Sequence, residues 1–120
     1  MKRCIGFTYD IKSDYEAEAG APSDALAELD YPETIDEIVQ AIESGGFSVE
    51  RIGSVKNLLS RLGSLKVDIV FNLCEGIRGR SREAEVPALL EMHNIPYVGS
   101  DGLTLSLTLD KAMTKKVFVA

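Results

Sequence analysis

The chain has 120 residues, enough for one domain with a buried core and too few for two. Hydrophobic residues make up 45% of it and charged residues 27%, the balance of a globular protein rather than a disordered one. The net charge of -6 disfavours nucleic acid as a partner, and no apolar run approaches the ~20 residues of a membrane helix. We therefore expect a cytoplasmic protein with no nucleic-acid or membrane partner.

The first predicted strand covers residues 4–9 and ends at Asp10. From residue 10 to residue 30 no periodicity holds, and acidic residues accumulate with Lys12 as the only base. A connection this long inside a compact domain is usually functional or mobile. Because its acids repel one another and large apolar side chains are few, we predict that residues 10–30 are the most mobile part of the chain.

Amphipathic helices alternate with the remaining predicted strands. Pro32 suits the first position of a helix, Ser54 is a suitable cap for a second, and Pro87 fits only the first turn of a third, which ends at Asn94. Between them lie apolar strands at residues 47–52, 67–73 and 95–98. This alternation is typical of a parallel sheet covered by helices. We predict an α/β fold with three layers, in which a mostly parallel four-stranded sheet has helices on both faces.

Ligands in such folds bind beyond the carboxyl ends of the strands, where Asp10, Glu75, Gly76 and Ser100 fall. A carboxylate at Glu75 can hold a substrate ammonium by a charge-assisted hydrogen bond, or it can pair with an arginine of the loop that follows. That loop carries Arg78, Arg80 and Arg82, which can bind a carboxylate or phosphate or pair with glutamates. Asp14 can face the same cleft as Asp10, whereas His93 lies on a helix stripe that indicates packing or surface exposure.

Several site classes are disfavoured by the residues present. Cys4, Cys74 and His93 are too few for a Cys/His zinc site, and the two cysteines fall at opposite ends of parallel strands, so we predict two reduced structural thiols. We assign no catalytic residue and no metal ligand. No glycine-rich turn follows the first strand, which disfavours a nicotinamide-binding domain. The third strand ends in Asn72-Leu73-Cys74-Glu75, without the aspartate that accepts phosphate in a receiver domain. A small-molecule-binding module without chemistry stays an alternative.

Two motifs resemble the D-alanine–D-alanine ligase family: IPYVGS at residues 95–100 and DKAMTK at residues 110–115. That family has a strand reading roughly IPYxGS, a short helical bridge and a DKxxxK helix start at this spacing. The resemblance implies that residues 1–120 form the N-terminal, pre-ATP-grasp domain of a longer ligase. It also implies that residues 103–109 are helical or irregular, with helix resuming near Asp110, although their alternating leucines indicate a strand by periodicity.

The resemblance further implies the chemistry and the partners. The family joins a carboxylate to an amine through an acyl phosphate, using ATP and Mg²⁺ that are bound mainly by ATP-grasp domains, and serves peptidoglycan biosynthesis. By position Lys111 corresponds to a lysine that reaches the nucleotide phosphates, while Asp10, Glu75, Gly76 and Ser100 are the candidates for substrate binding. Implied partners are an amino acid or dipeptide and the chain's own C-terminal ATP-grasp domains, and a homodimer is left open.

Two positions depart from the family's pattern. Glu75-Gly76 stands where the family usually has a histidine-glycine pair, and the acidic residues 10–30 replace a short loop that holds the first substrate's ammonium. A related ligase for another amino acid or peptide is therefore the alternative.

We predict that the 120 residues alone hydrolyse no ATP and form no dipeptide, because most nucleotide and metal contacts would lie in other domains. The interpretation as a fragment is also favoured by the helical pattern that continues to Ala120 without a cap. Robust ATP turnover by this polypeptide in a coupled assay would contradict that interpretation.

Overall fold

The computed structural model describes residues 1–15, 19–27, 29–76 and 78–120. Its elements, in chain order, are β1 (Cys4–Thr8), α1 (Pro32–Ser44), β2 (Ser48–Gly53), α2 (Val55–Arg61), β3 (Ile69–Asn72), α3 (Glu85–Met92), β4 (Tyr97–Val98), α4 (Gly102–Leu109) and α5 (Lys111–Val119). Two 3-10 turns, Lys12–Asp14 and Arg82–Ala84, lie in the connections that follow β1 and β3. Every strand and helix predicted between residues 4 and 98 is present.

The four strands form one sheet in the order β2-β1-β3-β4, and every neighbouring pair is parallel. β1 is central: its last residue, Thr8, pairs with Gly53 of β2 on one side and Asn72 of β3 on the other. The carboxyl ends of these strands therefore meet at one edge of the sheet. The predicted α/β class and the parallel four-stranded sheet are confirmed.

Helices cover both faces of the sheet, as predicted. On one face α2 and α3 enclose a cluster of buried residues: Ile52, Leu58, Leu62, Val70, Cys74, Val86 and Leu90. On the other face α1 packs its buried residues Ile35 and Val39 against Phe7 of β1. Full burial of such side chains contributes roughly 1.5–3 kcal/mol each, so the central strand is held from both sides. Among the described residues, no helix is both long enough and apolar enough to span a membrane.

The helix boundaries follow local signals in the sequence. Pro32 begins α1, where its missing N–H costs no hydrogen bond. The Ser54 hydroxyl caps α2 by accepting the N–H of Asn57 at 3.5 Å. Pro87 is buried in the first turn of α3, and Asn94 adopts a left-handed φ of 53° just after that helix. These predictions were made from single residue types and are confirmed.

Residues 103–109 form a helix, as the family resemblance implied and the leucine alternation did not. The Asp101 carboxylate caps α4 by accepting the N–H of Thr104 at 2.9 Å, and Asp110 caps α5 through the N–H of Met113 at 3.0 Å. Thr114 Oγ1 donates to the carbonyl of Leu107 at 2.7 Å and so links the two helices. The strand indicated by periodicity is therefore wrong, because two aspartate caps define helix starts that a count of apolar positions does not register.

The two ends of the acidic segment lie together. Ile11 and Asp30 form an isolated parallel bridge, with the N–H of Lys12 donating to the Asp30 carbonyl at 2.9 Å and the N–H of Asp30 donating to the Asp10 carbonyl at 3.1 Å. Leu29 is buried beside this bridge. Part of the segment whose mobility was predicted, residues 16–18 and 28, lies outside the described residues, so that statement stays a prediction.

Adjacent leucines of α2 offer a matched test of the core. Leu58 is 0% exposed whereas Leu59 is 62% exposed. We expect Leu58→Ala to lower the free energy of unfolding by about 2–5 kcal/mol, because it removes buried methyl groups and leaves a cavity.

Leu59→Ala is the control, with an expected change within about 0.5 kcal/mol because it removes surface area only. Urea denaturation of both variants measures the difference. Equal losses would contradict the packing described for α2.

Candidate functional site

The carboxyl edge of the sheet brings most of the predicted site residues together. Beyond the paired strands the chain continues the ladder, since the N–H of Leu73 donates to the Thr8 carbonyl at 2.8 Å and the N–H of Tyr9 to the Gly53 carbonyl at 3.0 Å. Asp10, Glu75 and Gly76 follow directly from these positions. Ser100 follows β4, whose residue Val98 pairs with Phe71 of β3, so it lies at the same edge.

Asp10 connects two of these strand ends through its side chain. One carboxylate oxygen, Oδ2, accepts the backbone N–H of Glu75 at 3.0 Å and that of Gly76 at 3.0 Å. The other oxygen, Oδ1, accepts the hydroxyl of Tyr15 at 2.7 Å. Asp10 is only 3% exposed. The structure thus places Asp10 against the backbone of the two predicted residues after β3, with both of its oxygens hydrogen-bonded.

Tyr15 was not predicted from the sequence. Burial first, and then its hydrogen bond to Asp10, raise the pKa of the Tyr15 phenol above its ordinary value. The hydroxyl consequently keeps its proton and remains a donor at neutral pH. Tyr15 sits in a segment without periodicity, so no pattern in the sequence distinguishes it from the other tyrosines.

A second set of hydrogen bonds fixes the end of β3. Thr8 Oγ1 donates to Asn72 Oδ1 at 2.8 Å, and that oxygen also accepts the N–H of Cys74 at 3.0 Å. Asn72 occupies the end of the third strand, where a receiver domain would have its phosphorylated aspartate, and here its side chain serves the backbone. This arrangement gives no support to phosphoryl transfer onto β3.

The two cysteines are free thiols at opposite ends of the sheet, as expected. Cys74 is buried, and its Sγ donates to the Gly53 carbonyl at 3.6 Å. Burial raises the pKa of this thiol above its ordinary value, and the nearby charge of Asp10 acts in the same direction. A thiolate is therefore disfavoured at neutral pH, which suits a structural residue rather than a nucleophile.

Gly76 gives the turn after β3 its shape. Its φ is 72°, a left-handed conformation that other residues rarely adopt. A Cβ atom at this position would lie 2.7 Å from the Arg82 carbonyl oxygen, so the backbone of the 3-10 turn Arg82–Ala84 passes directly against it. Glu75, which precedes this glycine, is half-buried, whereas Ser100 is exposed.

Lys111 is exposed at the first position of α5. The preceding residue, Asp110, accepts a hydrogen bond from the Arg80 guanidinium at 2.7 Å. The cap to Met113 and the Arg80 contact hold the pKa of the Asp110 carboxyl below its ordinary value. The arginine-rich loop after β3 thus reaches the start of α5, and the eight residues of α4 separate Lys111 from Ser100 by about 12 Å along the helix axis.

The remaining candidates are exposed residues. Asp14 is exposed in the 3-10 turn Lys12–Asp14, and exposed His93 has its Nδ1 3.0 Å from the Leu89 carbonyl. Within residues 1–15, 19–27, 29–76 and 78–120, no three side chains of His, Cys, Asp or Glu are arranged to hold a metal ion.

Known proteins resemble this chain over most of its length. A D-alanine–D-alanine ligase of Carboxydothermus hydrogenoformans is 36% identical over 87 residues, which cover 72% of this chain and 27% of the ligase. A D-alanine–D-alanine ligase of Pelagibacter ubique is 30% identical over 100 residues, or 83% of this chain and 31% of the ligase. The chain belongs to the D-alanine–D-alanine ligase family.

As a member of this family the chain is short. It spans about a quarter to a third of the length of these ligases. The uncharacterized protein y4sG of Sinorhizobium fredii is 53% identical over 47 residues, covering 39% of this chain and 14% of that protein. No protein-family model matches the chain.

Two glycines of this ligase-family chain provide a test of the turn. Gly76 and Gly79 both have positive φ, of 72° and 90°, but a Cβ at Gly79 would meet nothing within 4 Å. We expect Gly79→Ala to cost about 1–2 kcal/mol of unfolding free energy, for the left-handed backbone alone. Gly76→Ala should cost about 1–3 kcal/mol more, because it also forces the Arg82 backbone to move.

Urea denaturation of the two variants measures this difference. Equal destabilisation would mean that the turn does not pack against Arg82.

Proposed function

We propose that residues 1–120 are the N-terminal, substrate-site domain of an ATP-dependent carboxylate–amine ligase of the D-alanine–D-alanine type. The observation that carries the proposal is the position of the two family motifs on the fold. The first motif ends at Ser100 on the edge that also carries Glu75 and Gly76, and the second places Lys111 at a helix start that Arg80 contacts through Asp110. The family membership supports the same conclusion.

The amino substrate is proposed to bind at the edge formed by Asp10, Glu75, Gly76 and Ser100. Glu75 is half-buried at the carboxyl end of β3, where partial desolvation strengthens a hydrogen bond between a carboxylate and an ammonium. Ser100 presents an exposed hydroxyl to the same edge, and Gly76 supplies the turn. Of these groups, Glu75 is the partly exposed carboxylate, and it supplies the negative charge that an ammonium requires.

Lys111 is proposed to contact the nucleotide phosphates. Its exposed ammonium at the start of α5 is a mobile charge beside a positive helix end. The Arg80 guanidinium contacts Asp110, the residue that precedes Lys111. A phosphate fits this arrangement of donors. In the proposed reaction the γ-phosphoryl group of ATP is transferred to a carboxylate, which releases ADP and gives an acyl phosphate. The amine then attacks the acyl carbon, loses a proton and displaces phosphate to form the amide.

The Mg²⁺ ligands are proposed to lie in other domains of the ligase. The part of the chain that the structure describes holds no cluster of three acidic, histidine or cysteine side chains suited to a cation. The partners proposed for this domain are accordingly an amino acid or dipeptide and the ATP-grasp domains of the same protein. A homodimer is proposed as a further partner, and sedimentation velocity of the full-length protein tests it.

The alternative is a related ligase whose amino substrate is a different amino acid or a peptide. The observation that favours it is the carboxylate of Glu75 at a position where the family usually has histidine. A negative side chain presents a different charge to the substrate than an imidazole does. A ligation assay with a panel of amino acids and dipeptides distinguishes the two, since D-alanine alone should react if the first proposal holds in full.

We predict opposite kinetic effects of Glu75→Gln and Lys111→Met in the full-length enzyme. Glu75→Gln keeps the side-chain shape and removes its charge, so amino-substrate binding should weaken by the ~1.5–3 kcal/mol of a charged hydrogen bond while the KM for ATP stays nearly constant. Lys111→Met should raise the KM for ATP and should lower kcat if the lysine also stabilises the transition-state charge. Steady-state kinetics with each substrate varied in turn measures both.

Glu43→Gln and Lys116→Met are the matched controls. Glu43 is exposed near the end of α1, which leads into the opposite edge of the sheet, and Lys116 is exposed in the last turn of α5. Neither should change a KM by more than about twofold, as expected for surface positions. If Lys111→Met changed only the KM for the amino substrate, the assignment of this lysine to the nucleotide phosphates would be wrong. If neither Glu75→Gln nor Lys111→Met changed a KM or kcat, the proposal that these two residues contact the substrates would be wrong.

A further inference from the structure

We propose that Asp10 and Tyr15 are positioning residues, which hold the Glu75–Gly76 turn in the geometry that the amino substrate requires. This inference rests on the proposed function and adds to it two side chains that act through the turn. Asp10 belongs to the substrate site, and its carboxylate serves the protein backbone rather than the ligand.

The first step in the argument is the pair of hydrogen bonds from successive amides to one oxygen. Asp10 Oδ2 accepts from Glu75 and from Gly76, each at 3.0 Å. An oxygen shared by two adjacent N–H groups fixes the orientation of both peptide planes, and charge on the acceptor makes these bonds stronger than neutral ones. The plane that precedes Glu75 and the plane that follows it are both held, so the direction of the Glu75 side chain from the backbone is set.

The second step is that both oxygens of Asp10 are engaged by the protein itself and are shielded from solvent. Oδ1 accepts the Tyr15 hydroxyl at 2.7 Å, and the whole residue is 3% exposed. Because the residue is almost fully buried, a solvated ammonium could not approach the carboxylate without opening this hydrogen-bonded arrangement. The contribution of Asp10 to substrate binding is therefore indirect.

The third step assigns the role of Tyr15. A carboxylate rotates easily about its bond to Cβ, and a donor to one oxygen stops this rotation. The Tyr15 hydroxyl is such a donor, and its raised pKa keeps it protonated at neutral pH. With Oδ1 held by the phenol, Oδ2 stays directed at the two amides. Tyr15 lies 60 residues before Glu75 in the sequence, and it acts on the turn through Asp10.

The decisive variant is Tyr15→Phe in the full-length protein, because it removes a single hydroxyl. Tyr31→Phe is the matched control: Tyr31 belongs to the same part of the chain and is exposed, and its hydroxyl accepts from Lys12 Nζ at 3.2 Å. We expect Tyr15→Phe to raise the KM for the amino substrate about threefold to tenfold, the effect of one hydrogen bond, with the KM for ATP unchanged. Tyr31→Phe should change neither.

Asp10→Ala and Asp10→Asn form a second pair. Alanine leaves both amides without an acceptor and should raise the amino-substrate KM more than Tyr15→Phe does, or prevent folding. Asparagine keeps one carbonyl oxygen that can accept both amides and should restore most of the loss. Rescue by asparagine separates positioning by an acceptor from direct binding of an ammonium, which needs the charge.

Hydrogen–deuterium exchange gives a readout that does not depend on activity. In the full-length protein, the amides of Glu75 and Gly76 should exchange at least about threefold faster in Tyr15→Phe than in Tyr31→Phe, because their acceptor becomes less well held. Equal exchange in the two variants would overturn the proposal, as would an equal rise of the KM for both substrates. If the wild-type protein ligates no amino acid, the proposed function fails, and the exchange measurement alone decides whether the two side chains hold the turn.

Discussion

The buried carboxylate of Asp10 is the constraint on which the carboxyl edge of this domain depends. A carboxylate removed from water is costly unless donors surround it. Here the donors come from two parts of the chain: the turn after β3 gives two amides, and the segment after β1 gives the Tyr15 hydroxyl. Among the described residues, no buried side-chain nitrogen or oxygen lacks a partner. Because each donor satisfies the same group, the turn and the segment stabilise one another.

Much of the architecture could be predicted from the sequence because burial on both faces leaves a simple pattern. The apolar run of β3, the helix start at Pro32 and the cap at Ser54 each depend on neighbours in sequence, and the structure has all three. Parallel strands then place their carboxyl ends on one edge, so the location of the candidate site followed from the fold class. The sequence identified this edge correctly for Asp10, Glu75 and Ser100.

The partners at that edge could not be predicted in the same way. The contact between Asp10 and the amides of Glu75 and Gly76 joins residues more than sixty positions apart, and it uses backbone atoms that every residue possesses. Tyr15 follows no periodic pattern of apolar residues and stands next to no sequence motif. The alternating leucines of α4 gave a misleading signal. No residue of this helix is fully buried, so its apolar positions record no single packed face, and the aspartate caps decided the outcome.

The loop that leaves the Glu75–Gly76 turn is held at its two ends by charges in different surroundings. At one end the contacts to Asp10 are buried, whereas at the other the Arg80 side chain, 85% exposed, contacts Asp110 directly at 2.7 Å. Dissolved salt weakens ion pairs between exposed charges and affects buried charges much less. Rising salt concentration should therefore loosen the connection between this loop and the start of α5 while leaving the connection to β1 intact. Ionic strength alone would then change how firmly the loop is attached to the start of α5, while its attachment to β1 stays the same.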